Sequence, residues 1–405
     1  MGRFVRRSMK TTRPKITRRS RRPAGDPRIT PESVLEFADQ LFGSMLHSKR
    51  VLSLAMAAVG VIHATSIALH AIGRGLARAM GLDPKHATKQ VDRLVGNGEV
   101  VMARLFKPWV QFLVGPRTEI VVAMDWTEFD GDSQSTICLY LITRHGRATP
   151  LVWRTVSRGT LANNRNRYED EAIELLHSCL AEHIRVTVLA DRGFGDQVRY
   201  QHLSLLGFDY VIRFRQNIHV THDGKTQPAV DWLAKTGRAK MLRDACVTWK
   251  KTEVPAVVLT HDRRMKDAWC IATSRVDLGA DAVTKLYGRR FTIEETFRDT
   301  KDIHFGLGLS ATHIRNPGRR DRLLMLTAMA YVLLVLLGAA GERCGLDRTL
   351  KVSTTSKRTL SLLNQGKYWY SALPQMREER QVLLLEAYDA VLKEQAVTRE
   401  IFAVL

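Results

Sequence analysis

Between residues 120 and 214 short apolar runs alternate with amphipathic stretches, in an order that few architectures accommodate. IVVAMDW (120–126), STICLYLIT (135–143) and ATPLVWRTVS (148–157) are rich in Val, Ile, Leu, Thr and aromatics. FDGDS and RHGR between them carry the composition of hairpin turns. A helical pattern follows at about 167–182, then a strand RVTVLAD (185–191), a helix near 196–206 and a strand FDYVIRF (208–214). Three strands, helix, strand, helix, strand describes a mixed α/β sheet.

The flanking regions divide the chain further. Residues 1–28 form a basic arm expected to lack a core, and 29–115 a helical domain. Residues 116–214 and 277–340 make the α/β core, interrupted at 215–276 by a β-rich insertion, and 341–405 are helical again. Leu323 to Ala340 reads LLMLTAMAYVLLVLLGAA, long enough for a membrane span. It stands alone in a basic chain and contains small residues and Thr327, so a buried core helix is expected.

Charge points to the partner. Sixty-two Lys and Arg against 41 Asp and Glu leave a formal charge of +21. Such a surplus favours a polyanion, because each cation set on a phosphate releases condensed counterions. No basic stretch aligns an apolar face opposite its charge as a membrane-surface helix must, so the expected partner is double-stranded DNA and no membrane. The segment GLARAMGLDPKHATKQVDRLVGN (75–97) reads as helix, turn, helix, and its second helix offers Lys85, Lys89 and Arg93 to a groove. The same spacing suits an ordinary helical hairpin. Five scattered cysteines without a Cys-x-x-Cys pair exclude a disulfide framework and a zinc site. A reducing, cytoplasmic setting fits, as does an N-terminus without the apolar stretch of a secretory signal.

Two acids close apolar strands. Asp125 follows Ile120 to Met124, and Asp191 follows Val186 to Ala190. A run apolar at nearly every position suits a strand covered on both faces. A carboxylate at its carboxyl end then enters the crevice where α/β sheets bind ligands. Asp130, Asp132 and Asp196 are neighbouring rivals, in turn or helix-start contexts where Asp is common.

A third acid lies on the expected helix YGRRFTIEETFRDTK (287–301). At helical pitch Tyr287, Arg290, Glu294 and Lys301 fall within roughly 60° of one another, beside an apolar stripe of Leu286, Ile293 and Phe297. Glu295 points about 100° away and is the poorer candidate. An exposed helix with an Arg290–Glu294 pair would look the same. Three carboxylates without His or Cys suit hard divalent cations, two Mg²⁺ ions for which Mn²⁺ can substitute. Paired metals can activate water or a 3′-hydroxyl and stabilise the leaving oxygen of an in-line displacement.

These residues resemble a DDE transposase of the insertion-sequence-four family. That family's helix motif of Tyr, Arg, Glu and Lys is matched by Tyr287, Arg290, Glu294 and Lys301. Its two Asp motifs are matched in VVAMDWT (121–127) and ADRGF (190–194), and a large β insertion before the Glu helix is also characteristic. The resemblance covers about residues 60–340. It implies an RNase H-like core, metal and catalytic roles for Asp125, Asp191 and Glu294, and a homodimer that pairs two DNA ends. It further implies that Tyr287, Arg290 and Lys301 hold the phosphate beside a flipped base, that Trp269 stacks on that base, and that Arg213 contacts the same backbone. Trp232 and Trp249 are alternatives for the stacking role. Trp126 departs from the small polar residue common after the first Asp, and would shape the site.

The expected activity is cut-and-paste transposition: binding terminal inverted repeats, cleaving the ends by two-metal hydrolysis, passing through a hairpin, and joining to target DNA. A nuclease that cuts without joining, and a transposase-derived repressor that only binds, are the competing readings. A membrane protein is the most distant.

Overall fold

The computed structural model describes residues 30–143, 145–263, 265–302, 306–355 and 357–393; the expected basic arm lies outside them. The amino-terminal helices are α1 (Pro31–Phe42), α2 (Ser48–Ala64), α3 (Leu69–Met80), α4 (Pro84–Gly96) and α5 (Met102–Val114). Their limits follow local chemistry. Thr30 caps α1 through the Ser33 N–H, ahead of Pro31 in the first turn. Gly81 at φ +65° ends α3, and the Asp83 carboxylate accepts the His86 N–H at 2.9 Å to open α4. Gly73 lets α3 approach α4 so closely that a Cβ there would overlap Thr88. Ala87, Val91, Leu94 and Val95 are buried as the sequence pattern implied, while Lys85, Lys89 and Arg93 are exposed.

The strands are β1 (Glu119–Phe129), β2 (Gln134–Ile142), β3 (Ala148–Ser157), β4 (Arg185–Ala190) and β5 (Asp209–Phe214). They continue with β6 (His219–His222), β7 (Lys225–Pro228), β8 (Lys240–Val247), β9 (Thr252–Thr260) and β10 (Trp269–Thr273). All ten described strands join one sheet in the order β3-β2-β1-β4-β5-β10-β9-β8-β6-β7. β1 and β2, and β2 and β3, are antiparallel, whereas β4 runs parallel to both β1 and β5. The strands after β5 extend the same sheet, because β10 pairs antiparallel with β5.

Helices cover the sheet: α6 (Arg165–Cys179), α7 (Gln197–Leu205), α8 (Ala280–Gly288), α9 (Thr292–Lys301) and α10 (Pro317–Arg343), followed by α11 (Leu362–Ala372) and α12 (Glu378–Lys393). This mixed sheet is consistent with the expected RNase H-like core. α10 contains the apolar run and, by length and composition, could cross a membrane, but 94% of its most apolar window is buried inside the protein. It packs on α2, α11, α12 and β3. Gly338 and Gly366 permit the α10–α11 crossing, since a Cβ on either would overlap the other helix's backbone.

Candidate active site

The parallel ladder between β1 and β4 ends at the pair Met124 and Ala190. Asp125 and Asp191 are the next residues on the two strands, so register brings them to one level at the carboxyl edge of that ladder. The structure differs from the expected strand end at Asp125. Asp125 does not close its strand, because β1 continues to Phe129 on its pairing with β2, where Asp125 lies opposite Cys138. Only the β4 side of the strand is open at Asp125, and that opening is the crevice. Asp191 begins the loop after β4 and accepts the Gly193 N–H at 2.7 Å.

The rival acids have structural partners. Asp132 accepts the Ile314 N–H at 3.0 Å and pairs with the fully buried Arg320. Asp130 pairs with Arg158, and Asp196 caps α7.

The segment 287–301 also differs from the continuous helix expected. It is not one helix: Tyr287 ends in α8, Arg289–Phe291 forms a 3-10 turn, and Glu294 and Lys301 belong to α9. The tighter turn changes the angular offsets from those of a continuous α-helix. Of the four residues expected on one helix face, Arg290 and Glu294 still meet, while Lys301 turns to Thr127 and the Glu128 carbonyl. Arg290, buried in that turn, donates to the Asp125 carboxylate at 3.0 Å and to Glu294 at 2.8 Å. Glu294 is half exposed, whereas Glu295 turns to Arg147 and Arg298.

Burial pushes the Asp125 carboxyl up to about 6; Arg290 and the Trp126 N–H pull it down, while Asp191 and Glu294 raise it further. Asp125 therefore feels both other acids. Among the described residues no three His, Cys, Asp or Glu side chains are grouped to hold a metal ion, and the Arg290 guanidinium bridges Asp125 and Glu294 instead. The donor chemistry still fits a hard divalent cation: every candidate ligand is a carboxylate oxygen, and neighbouring anions raise Asp125 in a way that a cation would relieve.

The remaining candidates form two groups. Tyr287 is buried edge-on against Trp269, with ring centroids 4.8 Å apart, and Phe291 lies 6.0 Å from the same indole. Arg213, opposite Ile271 in the ladder, donates to the Ala268 carbonyl at 3.2 Å. With Arg192, Arg215, Gln216 and Asn217 it lines a cleft of about 340 Å³. Lys301 lies apart from these, donating to Thr127 Oγ1 at 3.0 Å and the Glu128 carbonyl at 2.7 Å. Lys89 and Arg93 sit on α4, where with Arg50 and His86 they line a separate cleft of about 540 Å³.

Trp126 does not line the crevice. Successive strand residues face opposite ways, and its indole N–H donates to Glu169 of α6 at 2.7 Å. Glu169 is also held by Arg199 at 2.7 Å, and both are almost completely buried. This anchor behind Asp125 has no sequence signal beyond an Asp-Trp step, because its three members come from distant segments.

Residues 159–333 match the family model described as the transposase DDE domain. The match supports a DDE transposase. No curated relative matches the chain. The DDE match spans Asp191 and Glu294 together with Arg213, Trp269, Tyr287, Arg290 and Lys301. Asp125 and the α3–α4 hairpin lie outside it, and Asp125 joins the site through its register with Asp191. The match supports a transposase-type DNA cleavage function; domains of this family act on DNA and generally use divalent metal ions.

Proposed function

We propose that the chain is a cut-and-paste transposase of the insertion-sequence-four kind, with Asp125, Asp191 and Glu294 as its catalytic acids. The observation that carries this reading is the alignment of Asp125 and Asp191 beyond the Met124–Ala190 pair, with Glu294 linked to Asp125 through Arg290. The three carboxylates would hold two Mg²⁺ ions, which supply nucleophile activation and neutralise charge on the leaving oxygen.

The chain's own groups do the positioning. Arg290 keeps Asp125 and Glu294 oriented, and the arginines of the Arg213 cleft receive backbone phosphate. Trp269, with Tyr287 behind it, offers an aromatic surface for an extruded base. Lys301 ties the end of α9 to β1 beyond Asp125, and in the DNA complex would turn to phosphate. Lys89 and Arg93 on α4 recognise the terminal inverted repeats, and two subunits pair two ends in the cytoplasm. The domain limits set out from the sequence, with residues 215–276 as the insertion, belong to the same proposal.

The test is to footprint the protein on the inverted repeats flanking its gene, then incubate it with that end DNA, a plasmid and Mg²⁺. Integrated product is the expected result. End cleavage without joining would point to a nuclease, and binding without cleavage to a repressor.

A further inference from the structure

The tip of the β8–β9 hairpin carries an aromatic residue that the site described above does not use. Trp249 is 77% exposed, although a large indole normally leaves water. Its ring stacks on His219 with centroids 3.9 Å apart and planes 32° from parallel. Lys250 and Lys251 follow it, both exposed, with the exposed Glu253 beyond them on β9. The other alternative, Trp232, is partly covered and donates to the Val220 carbonyl at 3.2 Å.

The tip is held in place. Thr248 and Lys251 have φ of +68° and +51°, a conformation that is unusual for a β-branched threonine. Thr248 donates its N–H to the His219 carbonyl at 2.9 Å. Its hydroxyl and that of Thr252 both donate to the Gln197 side-chain oxygen, at 3.1 and 2.7 Å. Gln197 is the first residue of α7, the helix that follows the Asp191 loop. One side chain therefore fastens both flanks of the turn to the segment leaving the candidate active site.

We infer that this turn is a second docking point for DNA, at which Trp249 stacks on an unpaired base while Lys250 and Lys251 take the adjoining phosphates. An exposed indole backed by another ring and flanked by cations is the combination that grips single strands without reading sequence. The inference rests on the proposed DNA-cleaving role, in which a nicked or extruded end exposes bases outside the duplex, and it adds a contact outside the Trp269–Tyr287 cluster.

The experiment measures anisotropy of a labelled single-stranded oligonucleotide, and of the corresponding blunt duplex, with the full chain at several salt concentrations. Trp249→Ala should weaken single-strand binding by about fivefold or more, while Trp249→Phe stays within about twofold of wild type. Duplex binding should change by less than about twofold in both. Replacing Lys250 and Lys251 with Ala should flatten the salt dependence of single-strand binding by about one logarithmic unit per unit. Unchanged single-strand binding by Trp249→Ala, or equal losses on both DNAs, would overturn the inference while leaving the transposase reading intact. A wild-type chain that binds neither DNA would overturn both.

Discussion

Arg290 donates a hydrogen bond to Asp125 at 3.0 Å from a position buried in the 3-10 turn between α8 and α9. The same guanidinium reaches Glu294, so a single cation orients two acids of the candidate triad. A lysine offers no planar fork to hold both carboxylates in this fixed geometry. Arg290→Lys is therefore expected to slow end cleavage by about tenfold or more, the worth of one charge-assisted hydrogen bond. Because Arg290 lowers the Asp125 pKa, Arg290→Ala should also move the acid limb of the pH–rate profile to higher pH. A limb that stays put or moves down would contradict this coupling.

Asp125 also makes stability depend on pH. Its folded pKa, about 6, lies above the ordinary 3.8, so the folded chain binds this proton more tightly than the unfolded chain. The resulting stabilisation is fully present below pH 3.8 and is lost as pH rises through about 6. In chelator, Asp125→Asn should stabilise the protein by about 1–3 kcal/mol near neutral pH, with the gain fading toward about pH 4. Urea unfolding at the two pH values reads the difference. An equal gain at both would show that the carboxylate's charge is not its cause.

Behind the crevice, Glu169 accepts from Trp126 and Arg199, and both charged groups are buried. Removing Arg199 leaves the buried Glu169 with only the Trp126 N–H and the more exposed Arg165, 3.5 Å away. Arg199→Met is expected to cost about 3–5 kcal/mol, and adding Glu169→Gln should restore part of it. A double-mutant cycle by urea unfolding checks this, and strictly additive losses would refute the pairing.

The α10–α11 crossing gives a steric test. Gly366 faces the Leu334 carbonyl with no room for a Cβ, whereas Gly98 has open space around it. Gly366→Ala should destabilise the fold by about 1–3 kcal/mol, while Gly98→Ala stays within about 0.5 kcal/mol of wild type. Equal effects in thermal unfolding would mean that the apolar helix does not pack here as a core element.

Much of the framework was legible because β1 to β5 are short, largely apolar and bounded by turn signals, the pattern of strands in a covered sheet. Helix geometry favoured Glu294 over Glu295 as a ligand, and in the structure Glu295 turns to Arg147 and Arg298. The break at Arg289–Phe291 was not legible. No proline marks it, and the Arg290–Asp125 bond joins residues far apart in the chain. Strand register was equally hidden, so Asp125 looked like a strand terminus although β2 carries its strand onward to Phe129. Trp126 looked like a site residue, and only its bond to Glu169 reveals the face it occupies.

The most direct measurement is the rate of Mg²⁺-dependent nicking of end DNA by Asp125→Asn, Asp191→Asn and Glu294→Gln, with Glu295→Gln as the adjacent control. Loss of cleavage in each of the first three, with end binding retained and the Glu295 variant active, is the expected result. Full cleavage by any of the three would contradict the assignment of the acids.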